Sequence, residues 1–134
     1  MLNKTPTEVK LRKQSNTLEL SYSDGSQLEF SSEFLRVHSP SAEVRGHGNG
    51  QEVLQTGKRN VKLKNLEPVG NYAVKLEFDD GHSTGIFSWD YLVSIGRDKK
   101  KLWEDYLLRL QQAGKTRDPS PTDTQIIKVK PLKS

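Results

Sequence analysis

The stretch from Thr17 to Leu35 decides the fold, and it reads TLELSYSDGSQLEFSSEFL. Its first six residues alternate apolar and polar side chains, as a β-strand with one buried face does. Asp24-Gly25 then predicts a tight turn, because glycine adopts positive φ without steric penalty. Alternation resumes in QLEF, and the serines followed by Glu33 are typical of a helix start. The stretch therefore predicts a β-hairpin followed by a short helix.

The same pattern recurs from Ala73 to Leu92, which reads AVKLEFDDGHSTGIFSWDYL. The two stretches align at an offset of 56 residues up to the turn glycines and of 57 residues after them. The second copy thus has one extra residue near Gly85, where a β-bulge would fit. We predict two related hairpin-plus-helix units that share a core.

The predicted fold class is α+β, with strand-rich antiparallel sheets. Further strands are expected around Val9 to Leu11 and from Val61 to Leu66. A helix is expected from Asp98 to Gly114, because an apolar stripe runs along it and glycine is a common helix terminator. The residues of that stripe are Leu102, Trp103, Tyr106, Leu107 and Leu110. Residues 1–114 are predicted to form one domain, and residues 115–134, rich in proline and polar residues, a flexible basic tail.

The net charge of +4 is concentrated in the tail. Residues 115–134 hold five Lys or Arg against two Asp, or +3, which leaves +1 for the other 114 residues. This argues against a nucleic-acid-binding face on the folded part, and leaves salt-dependent binding by the tail as a separate hypothesis. The chain has no cysteine, which excludes disulfides, thiolate zinc sites and cysteine nucleophiles. No apolar run approaches the length of a membrane span and the first residues lack the core of a signal peptide, so we expect a soluble cytoplasmic protein without membrane contact.

The three histidines are the main candidates for metal chemistry. Non-haem iron oxygenases use two histidines and a carboxylate, often within a His-x-Asp or His-x-Glu element. That element is absent here, since the residues two positions after the histidines are Pro, Asn and Thr. A metal site would require the three to converge: His38, His47 and His82. This is the alternative hypothesis, a metal-binding accessory subunit of a 2-oxoglutarate/iron oxygenase-type enzyme. The chain also lacks Gly-x-Ser-x-Gly, and GHGNG has no following Lys-Ser/Thr, so we predict no catalytic residue, P-loop or cofactor.

Two stretches, LRVHSPSAEVRGHG and PVGNYAVKLEFDDGHSTGIFSWDYL, resemble the gamma-butyrobetaine hydroxylase-like N-terminal domain family over roughly residues 6–97. In the hydroxylases this domain precedes a 2-oxoglutarate oxygenase domain and holds a structural zinc through three cysteines and a histidine. The resemblance places the cysteine positions on Ser39, Ser41 and Val44, and the histidine on His82. It therefore implies a zinc-free version, in which hydrogen bonds and packing hold the loop near the second hairpin turn, because neutral hydroxyls bind zinc weakly.

The resemblance also suggests a class of function. The family occurs as short stand-alone bacterial proteins and as a module attached to P-loop ATPases that carry iron–sulfur clusters. We therefore predict a non-catalytic interaction or accessory module, whose protein partner is an iron–sulfur carrier of this kind or another enzyme. The predicted binding surface comprises Arg36, His38, Arg45, His47, His82 and Trp89.

Overall fold

The computed structural model describes residues 5–41, 44, 53–82 and 85–119. Within these ranges, six strands form two three-stranded antiparallel sheets, in the orders β1-β2-β3 and β4-β5-β6. The strands are β1 (Glu8–Arg12), β2 (Thr17–Ser21), β3 (Gln27–Ser31), β4 (Leu63–Val69), β5 (Ala73–Phe78) and β6 (Gly85–Ser88). The helices are α1 (Ser32–Val37), α2 (Trp89–Arg97) and α3 (Lys99–Ala113). The predicted α+β class is confirmed, and within the described ranges no helix is long and apolar enough to cross a membrane.

The two predicted units have the same local construction. Each hairpin turns at a glycine with positive φ, 89° at Gly25 and 91° at Gly81. Each helix begins behind a serine, Ser31 or Ser88, whose hydroxyl accepts a hydrogen bond of 3.0 Å from the backbone N–H three residues on. A serine cap of this kind satisfies one of the N–H groups that the first helical turn leaves without a partner. The local signals of the sequence therefore act as predicted in both copies.

A reciprocal close contact relates the two units. A Cβ added to Gly85 would lie 2.8 Å from the Ser39 Oγ, and one added to Gly96 would lie 3.0 Å from a Leu28 methyl carbon. The 57-residue offset maps Leu28 onto Gly85 and Ser39 onto Gly96. Equivalent positions of the two units are thus close to each other in both directions. This reciprocity supports the predicted repeat.

The extra residue of the second unit lies between His82 and Gly85. In the first unit Leu20 pairs with Leu28 and the Tyr22 N–H donates to the Ser26 carbonyl, all in one register. In the second unit the Phe78 N–H donates to the His82 carbonyl, and a continuous register would pair Leu76 with residue 84. Leu76 pairs with Gly85 instead, so the register shifts by one residue. The insertion lies beside the turn that carries His82, so the strand register of the two units differs there.

The core lies between the two sheets and the helices. Its largest fully buried side chains are Phe30, Phe78, Phe87, Leu18, Leu20, Leu35, Leu76 and Leu92. Helix α3 adds Tyr106 and Leu110, which pack on Val37 in a smaller cluster. Leu107 was predicted to belong to the buried stripe of this helix, but 39% of it is exposed. The stripe is narrower than predicted because Leu107 lies about 100° around the helix axis from Tyr106.

The first residues of the predicted tail pack on the domain. The Arg117 guanidinium donates two hydrogen bonds of 2.7 Å to the Glu33 carboxylate and lies 5.0 Å from the centre of the Trp103 ring. Bidentate arginine–carboxylate pairs are among the stronger polar contacts. Arg117, in the first part of the predicted tail, therefore contacts residues of the folded domain, and residues 120–134 lie outside the described residues.

Candidate functional site

The segment after α1 is joined to the second hairpin turn by a buried polar contact. The His82 Nε2 lies 3.0 Å from the Ser39 Oγ and 3.3 Å from the Ser41 Oγ. Ser39 is fully buried and His82 is 5% exposed. The close approach of β6 depends on Gly85, because any side chain there would overlap the Ser39 hydroxyl. The hydrogen bonds that the family resemblance implied between loop and turn are present.

Three of the four positions that correspond to zinc ligands in the family thus lie together. The fourth, Val44, is 6% exposed, and its N–H donates to the Ser41 carbonyl. The set offers one imidazole and two neutral hydroxyls and no thiolate, and it does not fit a structural zinc ion. Within the described ranges no three His, Cys, Asp or Glu side chains are grouped to hold a metal. The residues hold the loop by hydrogen bonding instead.

An ion pair between a buried arginine and a partly exposed aspartate reinforces the same junction. The Asp80 carboxylate accepts hydrogen bonds from the Arg36 Nε at 2.9 Å, the Lys58 Nζ at 2.8 Å and the His82 N–H at 3.2 Å. Burial raises the pKa of Asp80, but the Lys58 and His82 hydrogen bonds and the Arg36 charge outweigh it and lower the pKa to about 2. Arg36 is 7% exposed and also donates to Gln55 at 3.0 Å. Arg36 therefore ties the helix to the turn and does not lie on the binding surface predicted for it.

His38 faces a different part of the molecule from His82. Its ring centre lies 4.4 Å from that of Phe34 and 6.3 Å from that of Tyr106. Its Nδ1 is 2.9 Å from the Phe34 carbonyl oxygen, which can only accept, so Nδ1 carries the proton and Nε2 is an acceptor. Burial lowers the pKa of His38, and the Arg109 charge acts in the same direction against the Phe34 hydrogen bond. The two described histidines contact separate groups, and His47 lies outside the described residues.

Next to His38 is a cleft of about 170 Å³, here called the His38 cleft. It lies between the end of α1, residues 53–55 and one face of α3. Its walls are mainly apolar and include Val37, Leu54 and Leu102. Val53, 51% exposed, stands at the opening together with the exposed Asp105 and Arg109. Neither charged residue has an ion-pair partner among the described side chains. The cleft is therefore an apolar recess with one anion and one cation at its rim.

Two tyrosines that were not predicted as site residues line the cleft and form hydrogen bonds beside it. The Tyr91 hydroxyl donates to the His38 carbonyl at 2.6 Å, and the Tyr106 hydroxyl donates to the Gln55 carbonyl at 2.8 Å. Burial first, and then the Glu33 charge, raises the pKa of Tyr106 to about 12, so the hydroxyl keeps its proton. A buried tyrosine needs a partner for its hydroxyl, and this requirement is the signal that could have identified both residues.

Trp89 does not join the His38 cleft. The Trp89 indole donates to the Asn71 carbonyl at 3.1 Å and lies in a shallow depression with Tyr72, which is 58% exposed. This depression is at the start of α2, and Trp89 is not among the residues that line the cleft. Arg45 and His47 fall outside the described residues. Among the four predicted surface residues that the structure describes, only His38 borders the cleft.

The fold agrees with the comparisons to known proteins. The family model described as "Gamma-butyrobetaine hydroxylase-like, N-terminal" matches residues 9–93, and the chain belongs to this family. No curated protein is significantly similar in sequence to this chain.

The solved structures that are similar to the chain include two solution structures and one crystal structure. Two, determined in solution by NMR, are 50% and 46% identical to it, cover 93% and 96% of it and 98% and 95% of their own chains, and have TM-scores of 0.75. The third is the crystal structure of a DUF971-family protein of unknown function from Acidithiobacillus ferrooxidans, 39% identical, covering 66% of this chain and 88% of its own, with a TM-score of 0.55. These likenesses establish the family and the fold and assign no activity.

Proposed function

We propose that the protein is a non-catalytic interaction module that docks a partner protein in the cytoplasm. The observation that carries the proposal is the His38 cleft, a half-open apolar recess framed by two tyrosine hydrogen bonds. At protein interfaces, the side chains that contribute most to binding often fill a well-packed pocket of the partner, and an apolar recess can serve as such a pocket. The family resemblance supplies the partner class, an iron–sulfur cluster carrier or another enzyme.

The reactive side chains are engaged in structural contacts, which supports a non-catalytic role. Ser39 and His82, the pair nearest to a nucleophile and its base, are buried and hydrogen-bonded to each other. Asp80 is held as an anion by two cations that lower its pKa to about 2, which makes it a weak base near neutral pH. These groups join the two units, and the groups at the cleft opening are those suited to contact with a partner.

Substitution at the cleft opening tests the proposal. Val53 and Leu108 are each 51% exposed, and only Val53 lines the cleft. Arginine at either position has little effect on the core, but at Val53 it places a charged side chain across the opening. Affinity-tagged wild type, V53R and L108R are produced at the level of the native protein, and the captured proteins are quantified by mass spectrometry. We expect a partner that wild type and L108R retain and V53R loses. Equal recovery by all three, or no partner with any, would contradict the proposal.

A further inference from the structure

The size of the His38 cleft matches one aromatic ring. Its volume is about 170 Å³. An apolar protein cavity of about 150 Å³ is known to hold one benzene molecule. A six-membered ring therefore fits, while the two fused rings of an indole do not enter fully. The partly buried Leu54 and Leu102 provide apolar walls for such a ring.

The polar groups of the cleft determine which kind of aromatic ring it binds best. The hydroxyls of Tyr91 and Tyr106 already donate to backbone carbonyls, so neither offers its proton to a ligand. His38 donates from Nδ1 to the Phe34 carbonyl, which leaves Nε2 as an acceptor with no hydrogen-bond partner among the described residues. A ring that carries a hydrogen-bond donor would satisfy this nitrogen, whereas a plain hydrocarbon ring would leave it unsatisfied at a cost.

The rim favours a peptide as the carrier of that ring. Asp105 and Arg109 lie one helical turn apart on α3 and offer an acceptor and donors at the opening. The backbone on either side of a side chain likewise offers N–H donors and C=O acceptors. A side chain inserted in the cleft would thus leave its own backbone within the range of complementary rim groups.

We propose that the His38 cleft binds the phenol ring of a partner's tyrosine, whose hydroxyl donates a hydrogen bond to the His38 Nε2. This rests on the proposed function and names the side chain that the partner supplies. The ring fills the apolar recess, and the hydroxyl gives the recess its preference for tyrosine over phenylalanine.

The test uses the full chain with p-cresol, the tyrosine side chain, and toluene, the phenylalanine side chain. Amide shifts in two-dimensional NMR give the site and the affinity, which for rings of this size is expected to be on the order of 1 mM. His38→Asn is the informative variant, because its side-chain amide can keep the bond to the Phe34 carbonyl while Nε2 is lost. We expect p-cresol to shift cleft residues and to bind the variant about 2- to 10-fold more weakly, with toluene changed less than twofold. Equal losses for both rings, or shifts outside the cleft, would overturn the proposal.

A second arm identifies the source of the ring. N-acetyl-L-tyrosinamide resembles a tyrosine within a peptide, and L-tyrosine represents the free amino acid. We expect the blocked amide to bind at least as tightly as p-cresol. Binding of free L-tyrosine at least tenfold tighter than the amide would instead indicate a small-molecule site and overturn the partner assignment. The outcome of these titrations can be distinguished from that of the capture experiment. If the cleft binds the phenol ring but no partner is captured, the ring-binding chemistry is supported and the docking function is refuted.

Discussion

Substitution of Asp80 by asparagine tests the ion pair that joins the two units. Asparagine keeps the shape and the turn but removes the charge that Arg36 and Lys58 share. The pKa of Asp80 falls from 3.8 to about 2, which at about 1.4 kcal/mol per unit sets an upper limit near 2.5 kcal/mol. Solvent screening at a partly exposed carboxylate reduces this to about 1–2 kcal/mol.

The interaction with Arg36 is already part of that pKa shift, so its loss is not added a second time. Arg36 also keeps its hydrogen bond to Gln55. We therefore expect D80N to lower the free energy of unfolding by about 1–2 kcal/mol at pH 7. Urea denaturation, monitored by circular dichroism, measures this change in the free energy of unfolding.

The neighbouring turn residue, Asp79, provides a matched control. It accepts a 3.0 Å hydrogen bond from the Lys62 N–H and has no ion-pair partner among the described side chains. D79N should cost less than about 1 kcal/mol.

The pH dependence has a definite sign. The pKa of Asp80 is depressed in the folded state, so its contribution is complete above the unfolded pKa near 4 and is lost as the pH falls towards 2. The stability difference between wild type and D80N should therefore shrink over this window. A D80N cost equal to that of D79N, or a difference between wild type and D80N that is constant from pH 5 to pH 2.5, would refute the reasoning.

Three further predictions concern the same junction. Gly85→Ala places a Cβ 2.8 Å from the Ser39 hydroxyl, and we expect it to lower the free energy of unfolding by about 1–3 kcal/mol in urea denaturation. Arg117→Ala removes a bidentate ion pair whose arginine is partly exposed, and we expect a loss of about 1–2 kcal/mol by the same measurement. Cysteine at all three family ligand positions should restore one tightly bound zinc per chain by elemental analysis, because Oγ–Nε2 distances of 3.0 and 3.3 Å approach the ligand spacing of about 3.5 Å around tetrahedral zinc. Those positions are Ser39, Ser41 and Val44.

Each of the three has an internal control. Gly25→Ala probes a positive-φ glycine with open space around it, so it separates backbone strain from the overlap at Gly85. Arg59→Ala removes a more exposed ion pair with Asp118 and should change stability by less than about 1 kcal/mol. Adding His82→Ala to the triple cysteine variant should weaken zinc binding by more than tenfold. Equal zinc affinity with and without His82 would contradict the placement of the fourth ligand.

The local structure was predictable because its signals are local. Apolar alternation, two Asp-Gly turns and two serine caps lie within stretches of about 20 residues, and they gave both hairpins and the helices that follow. The repeat was visible for the same reason. The predicted burial of Leu107 in the apolar stripe of α3 was wrong, because helical periodicity alone does not say how much of a helix face its neighbours cover.

The site was predictable only in part, because it is built from contacts between distant residues. His82 meets Ser39 across 43 positions, and the family resemblance supplied that pairing. Nothing local indicated that Arg36 would be buried against Asp80, 44 positions away, and an arginine next to a polar loop was therefore assigned to the surface. Tyr91 reaches His38 across 53 positions, and this contact, which frames the cleft, has no signature within either segment.

The central claim is that the His38 cleft is where a partner docks. The most direct test is amide-shift mapping of the labelled protein upon addition of the purified captured partner. The account predicts that the largest shifts fall on cleft residues such as Leu54, Leu102 and Tyr106, and that V53R abolishes them. Shifts centred on Trp89 and Tyr72, with the cleft unchanged, would contradict the claim and move the docking site to the start of α2.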